Sequence, residues 1–290
     1  MESEAQTGRQ EQETGQLALA DGTCWDIRGY DRKSAEIVSH FVKTLGLQRN
    51  LKKPTRHLII YLKTAAKQKI KKSPSVQKSH TPPETTYFCE IDPPTNKDTL
   101  AIQLMKIASI IRQDTEKNMG FLVHGALAAF KGKGVILAGY GGIGKTTSIE
   151  RLPDTWDASC DDTTLIIQET DHIYSGHPWP TWSRLMFDGP GGAWDINEKF
   201  PVAGVYFLER ADVDRTKPIE PAEAACRMVK STEEALIPIA LRTDEYDSRE
   251  MRLKRLDNIC RFCEIIPSFI LYFTKDGKFW KEIEKDIIAV

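Results

Sequence analysis

Gly139-Tyr-Gly-Gly-Ile-Gly144-Lys145-Thr146 follows directly on the apolar run 134–138. The pattern G-x-x-x-x-G-K-[ST] after a strand reads as a loop that wraps phosphate groups. Glycines let backbone amides turn toward phosphate oxygens, the lysine neutralises them, and the threonine hydroxyl faces Mg²⁺. Gly139, Tyr140, Gly141, Gly142, Ile143, Gly144, Lys145, Thr146 and Thr147 are the expected nucleotide-binding residues. ATP or another nucleoside triphosphate, with Mg²⁺, is the implied cofactor pair.

Downstream, Pro153 and Asp154 stop the following helix after about two turns. Cys160-Asp161-Asp162 comes next, with its first acid only 16 residues beyond Lys145. Adjacent carboxylates can divide labour, one ionised near the metal and one taking a proton from an attacking hydroxyl. The same pair standing alone would also read as a turn or a helix cap.

Upstream, 121–130 is a second apolar run, separated from 134–138 by Lys131-Gly-Lys133, a hairpin turn. Further strands are expected at 163–168, 202–208 and 268–273, with helices at 222–234, 248–263 and near the C-terminus. The portion before residue 119 reads differently: strands up to Trp25 and at 57–62 and 86–91, and helices at 34–45 and 98–116. The expected organisation is a disordered tail at 1–16, a small α+β N-terminal unit at 17–118 with a basic loop at 63–83, and a phosphate-binding domain at 119–290. The fold class is α/β with a mixed sheet.

The chain has 290 residues, 40% apolar and 28% charged, with a formal charge of −1. That balance gives no global field for nucleic acid or an anionic bilayer, so neither is expected as a partner. No apolar run approaches the roughly 20 residues of a membrane span. Six scattered cysteines and an acidic, Gln-rich start without an apolar signal point to a cytoplasmic protein. Cys260 and Cys263 continue the helical spacing of Leu253 and Leu256, which reads as a buried helix face rather than a metal site.

Val123-His124-Gly125, the loop at 134–147 and Cys160-Asp161-Asp162, in this order, resemble the HPr kinase/phosphorylase family. That resemblance implies a phosphoenolpyruvate-carboxykinase-like P-loop fold and phosphate transfer to a serine hydroxyl of a protein. It implies that Lys145 and Thr146 hold the nucleotide phosphates and Mg²⁺, that Asp161 is the base, that Asp162 assists the metal, and that His124 lies beside Asp161. A narrower likeness runs through Trp156, His177-Pro-Trp-Pro-Thr-Trp-Ser183, Gly191-Gly-Ala-Trp194-Asp195 and Phe207-Leu-Glu209. These stretches are similar to the ScmC-type proteins of SynChlorMet cassettes, which also encode radical SAM enzymes. This likeness implies a ribosomal precursor peptide as acceptor and radical SAM enzymes as partners. Two departures stand against a standard HPr kinase: its Glu-Ile-Arg-Gly segment and its C-terminal Arg-Asn motif have no counterpart here.

The segment 177–184 is rigid and aromatic. His177, Trp179, Trp182, Ser183 and Arg184 are its candidate acceptor contacts, with an aromatic mini-core as the plainer reading. Gly189-Pro-Gly-Gly192 reads as a loop able to close over the site. Glu209, ending an apolar strand, is a further candidate near Mg²⁺, or else a surface partner of Arg210. Three functions stay open: a kinase acting on Ser or Thr of a peptide or protein; a nucleotide-binding accessory protein that presents a precursor peptide; and a kinase of a free serine-like metabolite.

Overall fold

The structure is a computed structural model that describes residues 14–49, 52–63, 85–182, 185, 194–243 and 247–289. Strands β1 (Thr14–Ala18) and β2 (Cys24–Gly29) pair antiparallel, and β3 (Arg56–Leu62) and β4 (Thr85–Ile91) extend the sheet in parallel, in the order β1-β2-β3-β4. Parallel neighbours need a crossover, and helix α1 (Arg32–Thr44) provides it between β2 and β3. Its start is set by a capping box in which the Asp31 carboxylate accepts from the Ser34 amide and the Ser34 hydroxyl accepts from the Asp31 amide. Helix α2 (Lys97–Lys117) begins in the same way at Asn96 and Thr99.

The second sheet has nine strands among the described residues. They are β5 (Phe121–Val123), β6 (Gly125–Phe130), β7 (Lys133–Ala138), β8 (Trp156–Cys160), β9 (Thr163–Thr170), β10 (Ile173–Trp179), β11 (Phe200–Arg210), β12 (Arg215–Pro218) and β13 (Ser268–Phe273). The main path runs β5-β9-β10-β11-β7-β6-β8, with β13 joined to β11 and β12 to β13. Strand β11 is parallel to β7 and β13, while the β6–β7, β9–β10 and β6–β8 pairs are antiparallel. The chain is therefore a mixed α/β protein with mixed sheets. Helices α3 (Lys145–Glu150), α4 (Pro221–Thr243), α5 (Arg249–Ile265) and α6 (Trp280–Ala289) complete the set of elements used below.

The apolar run 121–130 is not one strand. It breaks at His124, where the chain leaves the β5–β9 pairing and joins β7 and β8 through β6. The break is pinned from outside: the His124 amide donates to the Ser231 carbonyl at 3.1 Å, and the Ser231 hydroxyl donates to the His124 carbonyl at 2.8 Å. Helix α4 is thereby fixed against the point where the two legs of the sheet diverge.

The four-stranded and nine-stranded sheets share one apolar cluster, which joins Trp25, Phe41 and Ile60 to Leu122, Ile167 and Trp179. Polar fasteners reinforce it. The Trp194 and Ile196 amides donate to the Thr44 and Leu45 carbonyls at 3.1 and 3.3 Å. Gly46 stands at this seam with φ 60°, and a Cβ built on it would lie 2.8 Å from the Trp194 carbonyl oxygen, so a side chain is excluded twice over. No described helix is long and apolar enough to cross a membrane. The expected basic loop falls almost wholly on 64–84, and most of the expected tail on 1–13, both outside the described residues.

Candidate functional site

Strand β7 ends at Ala138 and the glycine-rich loop follows at once, so the loop emerges from the centre of the larger sheet. Gly142 and Gly144 have φ of 82° and 121°, values that side-chain-bearing residues rarely adopt. A Cβ built on Gly141 or Gly142 would meet no atom within 4 Å. These two glycines thus face open space on their side-chain side. Lys145 is 5% exposed and folds back over the loop, its Nζ donating to the Gly139 and Tyr140 carbonyls at 2.8 and 3.4 Å. Burial pushes its pKa down, against the opposing pull of Asp162, Glu234 and Asp161. Helix α3 is six residues long, as the Pro153-Asp154 stop requires.

The two aspartates occupy the two-residue connection between β8 and β9, and their side chains part company there. Asp161 Oδ2 accepts from the Thr146 hydroxyl at 2.9 Å. Asp162 instead meets His124, Oδ1 lying 2.9 Å from Nε2, and its other oxygen accepts from the Thr163 hydroxyl at 3.3 Å. The second ring nitrogen of His124 lies 3.3 Å from Glu234 Oε2 on α4. His124 is therefore held between two carboxylates, and the expectation that it lies beside Asp161 is corrected to Asp162. Burial would raise the Asp162 pKa, but the His124 hydrogen bond and charge, with Lys145, outweigh it and hold the carboxyl below its ordinary range.

No group of three or more His, Cys, Asp and Glu side chains among the described residues is arranged to hold a metal ion. Magnesium is commonly held by one or two protein groups, with substrate phosphates and water completing the shell. The adjoining Thr146 hydroxyl and Asp161 carboxylate fit that demand. Glu209 does not belong with them: its carboxylate is paired with Arg227 at 3.0 Å, and Arg227 is shared with Glu223 at 3.0 Å. Nor does it pair with Arg210, whose guanidinium reaches the Gly142 and Ile143 carbonyls at 3.4 Å.

Beside Asp162 opens a cavity of about 240 Å³, walled by Leu122, Trp179, Trp182, Pro238 and Ile239, with His124 and Glu234 also on its lining. Trp179 and Trp182 thus stand where a contact to an acceptor was expected, although they belong at the same time to the shared apolar cluster. Ser183 and Arg184 lie outside the described residues, as does the whole of the expected closing loop at 189–192.

His177 is not on this cavity. Its ring is fully buried, with Nδ1 2.8 Å from the Ile196 carbonyl oxygen and Nε2 accepting from the Ala20 amide at 3.2 Å. Both nitrogens serve the seam between the sheets, which removes His177 from the acceptor contacts. Burial pushes its pKa down to about 4. Since the unfolded chain takes up this proton near pH 6.5, the neutral ring's contribution is whole above that pH and shrinks as pH falls toward 4. The expected loss is about 3 kcal/mol by pH 4. Urea unfolding at pH 7.5 and 5 should show His177→Gln losing less stability than the wild type on acidification, and parallel losses would refute the assignment.

Sequence reasoning missed Glu234, Ser231 and Arg210. Glu234 follows another acid within an amphipathic helix, where a charge reads as solvated surface, so no local signal marks it.

A family model described as SynChlorMet cassette protein ScmC matches residues 87–289. No curated protein matches the sequence. Among solved structures, the Hpr(Ser) kinase/phosphatase from Coxiella burnetii is similar at 14% identity and a TM-score of 0.30, over 58% of this chain and 97% of that one.

Proposed function

The chain belongs to the family of SynChlorMet cassette protein ScmC, and from the site it carries we propose that it is an ATP- and Mg²⁺-dependent kinase. Its acceptor is a Ser or Thr hydroxyl of a peptide or protein, with a ribosomal precursor peptide of a radical SAM pathway as the candidate. In this reading the fold is a phosphoenolpyruvate-carboxykinase-like P-loop fold at 119–290, preceded by the small unit at 17–118. The observation that carries the proposal is the parting of neighbouring carboxylates, Asp161 onto Thr146 and Asp162 onto His124.

The nucleotide and its metal, when bound, supply the phosphoryl group and the charge that balances it. Loop amides from 139 to 147 and Lys145 receive the phosphates. Thr146 and Asp161 hold the metal. Asp162, ionised and open to the cavity, takes the proton of the acceptor hydroxyl, so the base role moves from Asp161 to its neighbour. His124, fixed by Glu234 and by the Ser231 backbone and hydroxyl bonds, keeps Asp162 turned toward the acceptor and away from the metal.

Incubation with ATP, Mg²⁺ and a serine-containing peptide should give a product heavier by one phosphoryl group in mass spectrometry. Lys145→Ala should abolish both product and calorimetric nucleotide binding. Absence of binding heat with every nucleoside triphosphate would overturn the proposal.

A further inference from the structure

Successive turns of α4 contribute to the lining of the cavity beside Asp162. Glu234, Pro238 and Arg242 all line it, and Glu234 and Arg242 are eight residues apart, or about 12 Å along a helix. One end carries the proposed base and the other a guanidinium. A serine side chain alone would occupy only the first end. An extended peptide advances about 3.3 Å per residue, so the stretch of α4 from Glu234 to Arg242 matches roughly three to four residues.

The walls between these ends suit a peptide backbone. Pro238 lies inside α4 and has no amide to donate to the Glu234 carbonyl four residues earlier. Across from α4, Thr181 and Trp182 are at least nine-tenths buried, and Thr181 Oγ1 and Trp182 Nε1 have no hydrogen-bond partner among the described residues. Unpaired buried polar groups destabilise a fold, and the amides of a bound peptide supply the missing partners. The aromatic and apolar faces of Trp179, Leu122 and Ile239 account for the middle of the span. Arg242 uses one Nη1 donor on the Pro238 carbonyl at 3.0 Å, which steadies the guanidinium against the last turn of α4 and leaves its other edge for an anion.

We propose that the cavity between the Asp162–His124–Glu234 cluster and Arg242 is the acceptor groove, and that it selects an extended peptide with an acidic group roughly three to four residues from the reacting hydroxyl. This rests on the kinase reading above and names its acceptor class.

The test uses the full chain with Mg²⁺ and ADP, so that binding is read without turnover. Blocked pentapeptides carry serine and, three residues on, aspartate or lysine, and dissociation constants are taken from tryptophan fluorescence and calorimetry. The aspartate peptide is expected to bind at least ten-fold more tightly than the lysine peptide. Arg242→Glu should reverse that order and Arg242→Gln should bring the two close to equal, with ADP affinity unchanged in both variants. Equal binding of the two peptides, an order that Arg242→Glu does not alter, no peptide binding, or free serine competing as well as the peptide would each overturn the groove. A preserved charge preference without any phosphoryl transfer from ATP would overturn the kinase reading and leave the groove standing.

Discussion

Asp162→Asn is expected to lower phosphoryl transfer by roughly 10² to 10⁴, the range over which a positioned general base contributes, while nucleotide affinity stays within about three-fold. An amide in that place keeps a contact to His124, so the loop geometry survives and the loss falls on the chemical step. Asp161→Asn should behave differently. It removes a carboxylate from the Thr146 hydroxyl, so the metal concentration needed for half-maximal rate should rise by an order of magnitude or more, and saturating metal should restore much of the rate. A pH profile separates the roles further. Because His124 helps to hold the Asp162 carboxyl below its ordinary range, the rate should decline only well into the acid, as the base becomes protonated. His124→Gln removes that support and should move the acid limb toward neutral pH. If Asp161→Asn gave the deeper, metal-insensitive loss, the two roles would have to be exchanged again.

What the sequence made legible was local. The glycine-rich loop, the short α3 and the Asp pair are contiguous patterns readable from residue type and spacing, and the structure sets Thr146 at the start of α3 against Asp161. The direction of each carboxylate was not legible, because a two-residue connection between strands in different pairings decides it. The break at His124 was hidden for a similar reason: nine apolar or small neighbours read as one strand, and only the pairing partners reveal two. Strand β10 escaped notice because Gly176 and Pro178 lower strand propensity, yet its pairing to β9 holds it. His177 looked chemical because it is a histidine in an aromatic segment. Its partners, Ala20 and Ile196, lie 157 and 19 residues away, and no spacing rule reaches them.

Glu116→Ala should be the most damaging single change away from the phosphate loop, at about 3–5 kcal/mol, the cost of stranding buried charge. Glu116 lies in the last turn of α2 with its side chain fully buried, and it accepts from Arg112 Nη1 at 2.6 Å and from Arg255 Nη2 of α5 at 2.9 Å. Asp247 takes the remaining charge of Arg255 at 3.0 Å. Desolvation opposes the Arg255 cation, but the two carboxylates more than compensate and push its pKa up. Glu116 thus meets two guanidiniums at once, and removing it takes a carboxylate from both where water is excluded. The backbone adds to the joint: Asn258 Nδ2 donates to the Glu116 and Gly120 carbonyls at 2.8 and 2.9 Å, tying the end of α2 to α5 just before β5 begins. Chemical denaturation should therefore show a steep loss for Glu116→Ala and a smaller one for Asp247→Asn, because the Asp247 side chain is itself less buried than that of Glu116. Replacing Arg112, Glu116 and Arg255 together by methionine, leucine and methionine should recover much of the stability lost by Glu116→Ala, since apolar packing removes the desolvation cost along with the attraction. A triple variant no more stable than Glu116→Ala would mean that shape at the α2–α5 joint, rather than charge balance, sets the loss.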